Sequence, residues 1–352
     1  MKRVKALVKR VLRKRLLSIL RPELKRIDGL EKTQKSLPRS PYFADRKDLF
    51  LNDIRYNYVI DDKVDMRTKR TIVSQIFYNT IGYYPNLSSP KTFSEKVLWL
   101  KLYYHDPRIS VCGDKYRAKS YIDSVLGGGY TVPLIQRYEC ASDIDFDALP
   151  DQFVLKVNWR TGCNIVVEDK SRINADEIRA KLDYWCLPWK NSYYGSFNWG
   201  YHSVEPIIFA EQYLDIPHNT TEYKMFCFNG RVEFALLELD YFGKTPRRAY
   251  YDRSWKELPF QISRIKKASV SSKPDTFDDM VRIAEKLAAP FPYVRVDFYD
   301  ISGKLYVGEM TFYSGGGFSR IIPGEWDTIL GERLDISCAM RRMAEECAGL
   351  PA

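Results

Sequence analysis

The chain has 352 residues, 45% hydrophobic and 14% aromatic, with 25 tyrosines and a formal charge of +10. That length and aromatic content exclude a largely disordered chain and predict two or three structural units around sizeable cores. The charge is segregated: residues 1–26 hold eleven Lys and Arg against Glu23 alone, while the remainder holds 44 basic and 44 acidic side chains, which argues against a nucleic-acid-binding body.

In residues 1–26, Val4, Leu7, Val8, Val11, Leu12, Leu16, Ile19 and Leu20 recur near the helical period, with basic residues filling most other positions. No apolar run approaches the roughly 18 residues that span a bilayer. The longest, Leu16–Leu20, is interrupted by Ser18 and is too short for a signal-peptide core. The pattern predicts an amphipathic helix on an anionic membrane surface, or else a solvated basic arm or a partner-binding helix.

Residues 27–45 read as a polar linker broken by prolines, and 46–110 as a mainly helical region. Thr92-Phe-Ser-Glu95 is a capping box that predicts a helix starting at Thr92. A second helix is expected over Asp114–Leu126, closed by Gly127-Gly-Gly129. Strands are expected at Thr131–Ile135, Phe153–Val157 and Asn164–Val167, and a helix at Ala175–Trp185 with Asn174 as its cap. An aromatic loop, 187–203, precedes a strand at Ile207–Leu214. Tyr223–Phe228 and Val232–Leu239 flank Asn229-Gly230, a hairpin signal. Thr276 caps a predicted helix to Ala288. A hairpin over Val294–Thr311, glycine-rich Ser314-Gly-Gly-Gly317 and a helix near 334–347 complete the chain. Strand pairs among helices, many of them antiparallel, predict an α+β fold.

Seven scattered cysteines without a C-x-x-C pair, and three histidines without metal-ligand spacing, argue against zinc and disulfide frameworks. The chemistry concentrates elsewhere. Lys156 alternates with Phe153, Leu155 and Val157, so it points away from their face and needs an anion, unless it guards a sheet edge. The following loop, Asn158–Cys163, offers backbone N–H groups to phosphate oxygens. In the 294–311 hairpin, a three-residue turn Ile301–Gly303 would set Arg295 opposite Glu309 and Asp297 opposite Val307, all on one side. Two carboxylates one pairing step apart suit Mg2+ with phosphate oxygens, and Arg295 can stabilise a transferring phosphoryl group. The alternative is a surface hairpin with one ion pair. Glu211, with Tyr213 and Leu214 after it, can meet an adenine, and Lys224 is a lone cation in an apolar strand. The aromatic stretch 185–201 can stack on sugar faces or form a satellite core. Arg247 and Arg248 are candidates for an anionic acceptor.

In order, KTFSEKVLWLKLYYHDP (91–107), GDKYRAKSYI (113–122), LPDQFVLKVNWRTGCNIVV (149–167), AEQYL (210–214), EYKMFCFNG (222–230), FPYVRVDFYDISGKLYVGEMTF (291–312) and SGGGF (314–318) resemble the ATP-grasp enzymes, and more closely the TupA-like family of teichuronopeptide biosynthesis. The resemblance implies two α+β subdomains clasping ATP over 111–330, with a C-terminal helix in 331–352. It implies that Lys115, Lys156 and the loop residues Arg160, Thr161 and Gly162 hold the ATP phosphates. Glu211, Tyr213 and Leu214 would hold adenine, Lys224 a phosphate, and Arg295, with Lys224, the transferred phosphoryl group. Asp297, Glu309 and Thr311 would bind Mg2+, Thr311 standing where many such ligases have asparagine. The phosphate loop departs from the family pattern in Trp159, Arg160 and Cys163.

The implied reaction is ADP-forming carboxylate–amine ligation through an acyl phosphate. The resemblance further implies a uronic acid of a bacterial capsule, O-antigen or teichuronic-type glycan, or its lipid- or nucleotide-linked precursor, joined to an amino acid. The expected location is cytoplasmic, peripheral on the inner face of the membrane. ATP-dependent phosphorylation of a glycan, and a non-catalytic nucleotide- or glycan-binding subunit, stay open.

Overall fold

The architecture comes from a computed structural model that describes residues 65–348 apart from 160–161, 188–190, 192, 194–196, 203, 218–219, 241–245, 264 and 271. The expected basic helix and linker, and Arg160 and Thr161, lie outside the described residues.

Helix α1 (Met66–Ile81) precedes α2 (Phe93–Tyr103). The Thr92 side chain accepts from the Glu95 N–H, and the Glu95 carboxylate accepts from the Thr92 N–H, so the predicted capping box forms. The next stretch corrects the sequence reading. Helix α3 (Pro107–Gly113) starts behind the Asp106 cap with Pro107 in its first turn. The helix expected from Asp114 begins only at Ala118, as α4 (Ala118–Leu126). Asp114 explains the delay, since its carboxylate accepts from the Tyr116 and Arg117 N–H groups at 2.8 and 3.0 Å and holds a turn.

Two antiparallel sheets follow. The first has strand order β1–β4–β2–β3, from β1 (Leu134–Tyr138), β2 (Phe153–Val157), β3 (Asn164–Val167) and β4 (Ile208–Gln212). β1 starts later than the predicted Thr131, because Pro133 has no N–H to give a ladder. Helix α5 (Ala175–Trp185) forms as predicted behind Asn174. Its Ile178 and Leu182 join Phe153, Leu155, Val157 and Ala210 in one core. β2 is an interior strand, so Lys156 is not an edge guard.

The second sheet has order β10–β9–β5–β6–β7, from β5 (Glu222–Phe228), β6 (Arg231–Leu239), β7 (Arg247–Asp252), β9 (Tyr293–Ile301) and β10 (Lys304–Thr311). A small pair joins β8 (Gln261–Ile262) to β11 (Ile321–Ile322). Asn229 and Gly230 take φ of 50° and 79°, the twisted hairpin turn their sequence predicts. Helix α6 (Phe277–Ala288) lays Phe277, Met280, Val281, Ala284 and Leu287 on β5, β6 and β9. Thr276 stands at its N-cap as predicted but makes no side-chain capping bond; its hydroxyl donates to Asp300 at 2.5 Å instead. The C-terminal helix expected near 334–347 is α8 (Ser337–Ala348), and an unpredicted helix, α7 (Glu325–Arg333), precedes it. The expected α+β class holds.

Candidate active site

The β9–β10 hairpin corrects its predicted register. Ser302 and Gly303 have φ of 53° and 86°, so the turn has two residues rather than three. A bulge at Gly308 then adds a further step between Val307 and Glu309. Glu309 therefore faces Asp297 directly, and Thr311 faces Arg295. Sequence alone had set Arg295 against Glu309 and Asp297 against Val307. Gly308 suits its place, since a Cβ there would lie 2.8 Å from the Tyr299 ring.

The same face continues across the sheet. Asp297 pairs with Lys224 on β5, Glu222 with Glu238 on β6, and Glu238 with Arg248 on β7. Arg295 donates two hydrogen bonds to the Asp297 carboxylate, each 2.6 Å, and one to Thr311 at 3.1 Å. The Lys224 ammonium contacts Glu222, Glu238 at 3.1 Å and Asp297 at 3.4 Å. Arg248 also pairs with Glu238 and donates to Ser263, so its charge is spent inside the fold rather than offered to an acceptor.

Opposite this stripe stands the Lys156 face of the first sheet. Glu211 lies on that face and takes both Lys156 and, at 2.6 Å, Lys119. Lys115, in the turn before α4, reaches Glu309 at 3.5 Å. Together these residues line a cleft of about 480 Å³, closed by Asn198, Tyr201, Tyr313, Gly315 and Gly316. That volume suits a nucleotide-sized ligand.

The electrostatics follow from burial opposed by pairing. Burial alone would raise the Glu309 carboxyl, but Lys115 and Arg295 hold it at about 2. Burial would lower Lys115 and Lys224, yet Glu309 and Asp297 respectively drive each ammonium above the ordinary lysine range. Lys119 goes the other way: burial lowers it, and Glu211 only partly compensates. Lys115, Lys224, Arg295 and Glu309 are thus each held in the charged form.

Among the described residues no group of three His, Cys, Asp or Glu side chains is arranged to hold a metal. The facing pair Asp297 and Glu309 is what Mg2+ needs, since that ion takes one or two carboxylates and completes its shell with water and phosphate oxygens. Thr311 donates to Glu309 at 2.5 Å, so it orients the pair. The buried Lys115 Nζ beside them has no hydrogen-bond partner, as a cation awaiting phosphate oxygens would.

Most of the described site candidates come together. Lys115, Lys156, Gly162, Glu211, Lys224, Arg295, Asp297, Glu309 and Thr311 all line the one cleft. Tyr213 and Leu214 follow the end of β4, outside the cleft lining. Trp159 and Cys163 are buried in the first sheet's core, with the Trp159 indole N–H donating to Trp185 O at 3.1 Å. Their bulk therefore packs inward, into that core. Sequence reasoning missed Lys119, Glu222, Glu238 and Tyr313. Lys119 lies one helical turn past Lys115 and Glu222 one strand period before Lys224, so spacing held a signal for both.

The family profile described as TupA-like ATPgrasp matches residues 95–335. No curated protein matches. Solved structures similar in part include a D-alanine–D-alanine ligase from Bacillus anthracis, at 17% identity over 68% of this chain and 71% of that one, with a TM-score of 0.39. The Helicobacter pylori D-alanine–D-alanine ligase is 15% identical over 74% and 68%, with a TM-score of 0.35. The ATP-grasp ligase PsnB complexed with minimal precursor is 15% identical over 59% and 55%, with a TM-score of 0.33.

Proposed function

Because the chain belongs to the TupA-like ATP-grasp family, we propose that it is an ADP-forming carboxylate–amine ligase that joins an amino acid to a uronic acid of a bacterial surface glycan. The observation that carries this reading is the directly facing pair Asp297 and Glu309, with Arg295, Lys115 and Lys156 around one cleft. In the proposed reaction an acceptor carboxylate oxygen attacks the γ-phosphorus of ATP, the bond to ADP breaks, and an acyl phosphate forms. An amine then attacks the acyl carbon, phosphate leaves, and the ammonium proton passes to solvent as the amide forms.

Nothing in this sequence of steps asks for a protein nucleophile; positioning and charge neutralisation suffice. Lys115 and Lys156 would bind phosphate oxygens. Arg295 would meet the charge that develops on the transferring group. Mg2+, held by Asp297 and Glu309 with Thr311 nearby, would supply further neutralisation of the phosphate charge. Residues 1–26 would bring the enzyme to an anionic membrane carrying a lipid-linked acceptor.

The test is calorimetric binding of AMPPNP, with and without Mg2+, to wild type and Lys156→Ala, followed by ADP release with hexuronic acids and amino acids. Mg-dependent binding weakened about tenfold in Lys156→Ala is expected. ADP release should fall at least about 100-fold in Asp297→Asn and Glu309→Gln. Full activity in both would remove the metal assignment. A phosphorylated sugar formed without an amine would replace ligation by phosphotransfer, and analogue binding without turnover would make the chain a non-catalytic subunit.

A further inference from the structure

Three buried side-chain polar atoms among the described residues have no hydrogen-bond partner: Lys115 Nζ, Asn198 Oδ1 and Tyr313 Oη. All three residues line the same cleft. An unpaired buried polar atom costs about 1–3 kcal/mol, and native structures hold few. A phosphate oxygen would satisfy Lys115. Asn198 and Tyr313 are uncharged and remain to be explained.

Tyr313 is only 6% exposed, and its hydroxyl lies beside the Gly200 backbone without a hydrogen-bond partner. The walls around it are fixed. Gly200 packs so closely on α3 that a Cβ would lie 2.8 Å from Ile109 Cγ2. Behind the glycine loop, buried Lys101 donates to Gly316 O at 2.5 Å, and Ser314 accepts from the Tyr293 hydroxyl at 2.8 Å. Tyr201, one residue past Gly200, sits in the electrostatic field of Lys115 and Glu309 and joins this end of the cleft to the charged stripe. Ile109, Gly200, Tyr201 and Gly316 carry no ionised group at neutral pH. An ammonium would find no carboxylate among them, whereas hydroxyl groups suit an amide oxygen and a phenol.

We propose that this end of the cleft is an acceptor subsite, in which Asn198 Oδ1 and Tyr313 Oη hydrogen-bond hydroxyl groups of a polyhydroxylated carboxylic acid whose carboxylate lies towards Lys115 and Arg295. The proposal rests on the ligase reading for its carboxylate but assigns new residues to the binding of its hydroxyls.

The experiment is titration of the full chain, saturated with Mg–AMPPNP, with glucuronate, galacturonate and uncharged methyl glucoside. Wild type should bind at least one probe, and Tyr313→Phe and Asn198→Ala should each weaken it about tenfold while AMPPNP affinity stays within about twofold. Tyr313→Phe should not lower the melting temperature, because it deletes a hydroxyl with no partner; a purely structural tyrosine would lower it. Equal probe affinity in wild type and both variants would overturn the subsite, as would a wild type that binds AMPPNP and none of the probes. Probe binding lost in the variants, with no ADP release from any acid and amine, would sustain the subsite and remove the ligase reading.

Discussion

At Glu309 burial and pairing pull in opposite directions, and pairing wins: the carboxyl sits at about 2 against an ordinary 4.5, held by Lys115 and Arg295. A carboxyl depressed by folding stabilises the native state above its unfolded pKa and loses that contribution as pH falls through the folded value. The window here runs from about 4.5 down to about 2, and the contribution is on the order of 3 kcal/mol. Glu309→Gln removes it and leaves the Lys115 ammonium buried without its counter-charge. Urea unfolding should find the variant less stable at neutral pH by about 2–4 kcal/mol, with the gap narrowing as the pH drops below 4.5. A gap that stays constant down to acid pH would contradict the linkage. Lys224 belongs to the same logic, since three carboxylates share one ammonium. It is a counter-ion for the stripe before it is a contact for phosphate.

Helix α7 approaches the start of α2 so closely that a Cβ on Gly331 would lie 2.1 Å from Lys91 O and 2.7 Å from Thr92 C. Those are backbone atoms of the capping box, so no side-chain rotation relieves them. The contact is clamped by Lys96, which donates to Gly331 O and Leu334 O at 2.7 Å each, and by Ser94 N–H donating to Asp327 at 2.8 Å. Gly331→Ala should therefore cost about 3 kcal/mol or more in urea unfolding. Gly324→Ala, with nothing within 4 Å and a helical φ of −65°, should stay within about 0.5 kcal/mol of wild type. Equal losses in both would mean the helices can separate freely. This packing also marks where sequence stopped being legible. Elements fixed by local chemistry were readable: the Thr92 box, the Asn229-Gly230 turn, and strands β2 and β3 to the residue. The missed α7 follows Gly324, which offers no side-chain cap, and its place is set by contact with a segment over 200 residues away in sequence. The site was legible in its residues and not in its register. Asp297, Glu309 and Arg295 stood out as charges in apolar strands, but the Gly308 bulge that sets the carboxylates face to face depends on the Tyr299 ring across the strand. Asn198 and Tyr313 gave no sequence signal, because a buried atom without a partner is a property of the folded chain alone.

For the whole molecule, charge is divided between two places with different tasks. Around the cleft, Lys115, Lys224, Arg248 and Arg295 are matched by Glu222, Glu238, Asp297 and Glu309, so that wall carries local dipoles and no net field. The surplus of ten positive charges belongs to residues 1–26, outside the described region. Long-range attraction to an anionic surface should therefore depend on that segment and not on the folded body. Each basic residue near such a surface contributes about 1 kcal/mol, and the attraction fades over a Debye length of about 10 Å at 0.1 M salt. Among the described residues no helix is long and apolar enough to cross a membrane. An attachment made through the basic residues of 1–26 should be salt-sensitive, because screening weakens it. The full chain should sediment with phosphatidylglycerol vesicles at low salt and be released as salt rises. It should bind phosphatidylcholine vesicles weakly, through the apolar stripe of Val4, Leu7, Val8 and Val11 alone. Deleting residues 1–26 should abolish sedimentation while leaving AMPPNP affinity unchanged, because the described lining of the cleft comes from residues 109–316. Retained vesicle binding in the truncated chain would place the membrane contact on the folded body. Binding of the full chain that resists salt would assign it to the apolar stripe rather than to the lysines and arginines.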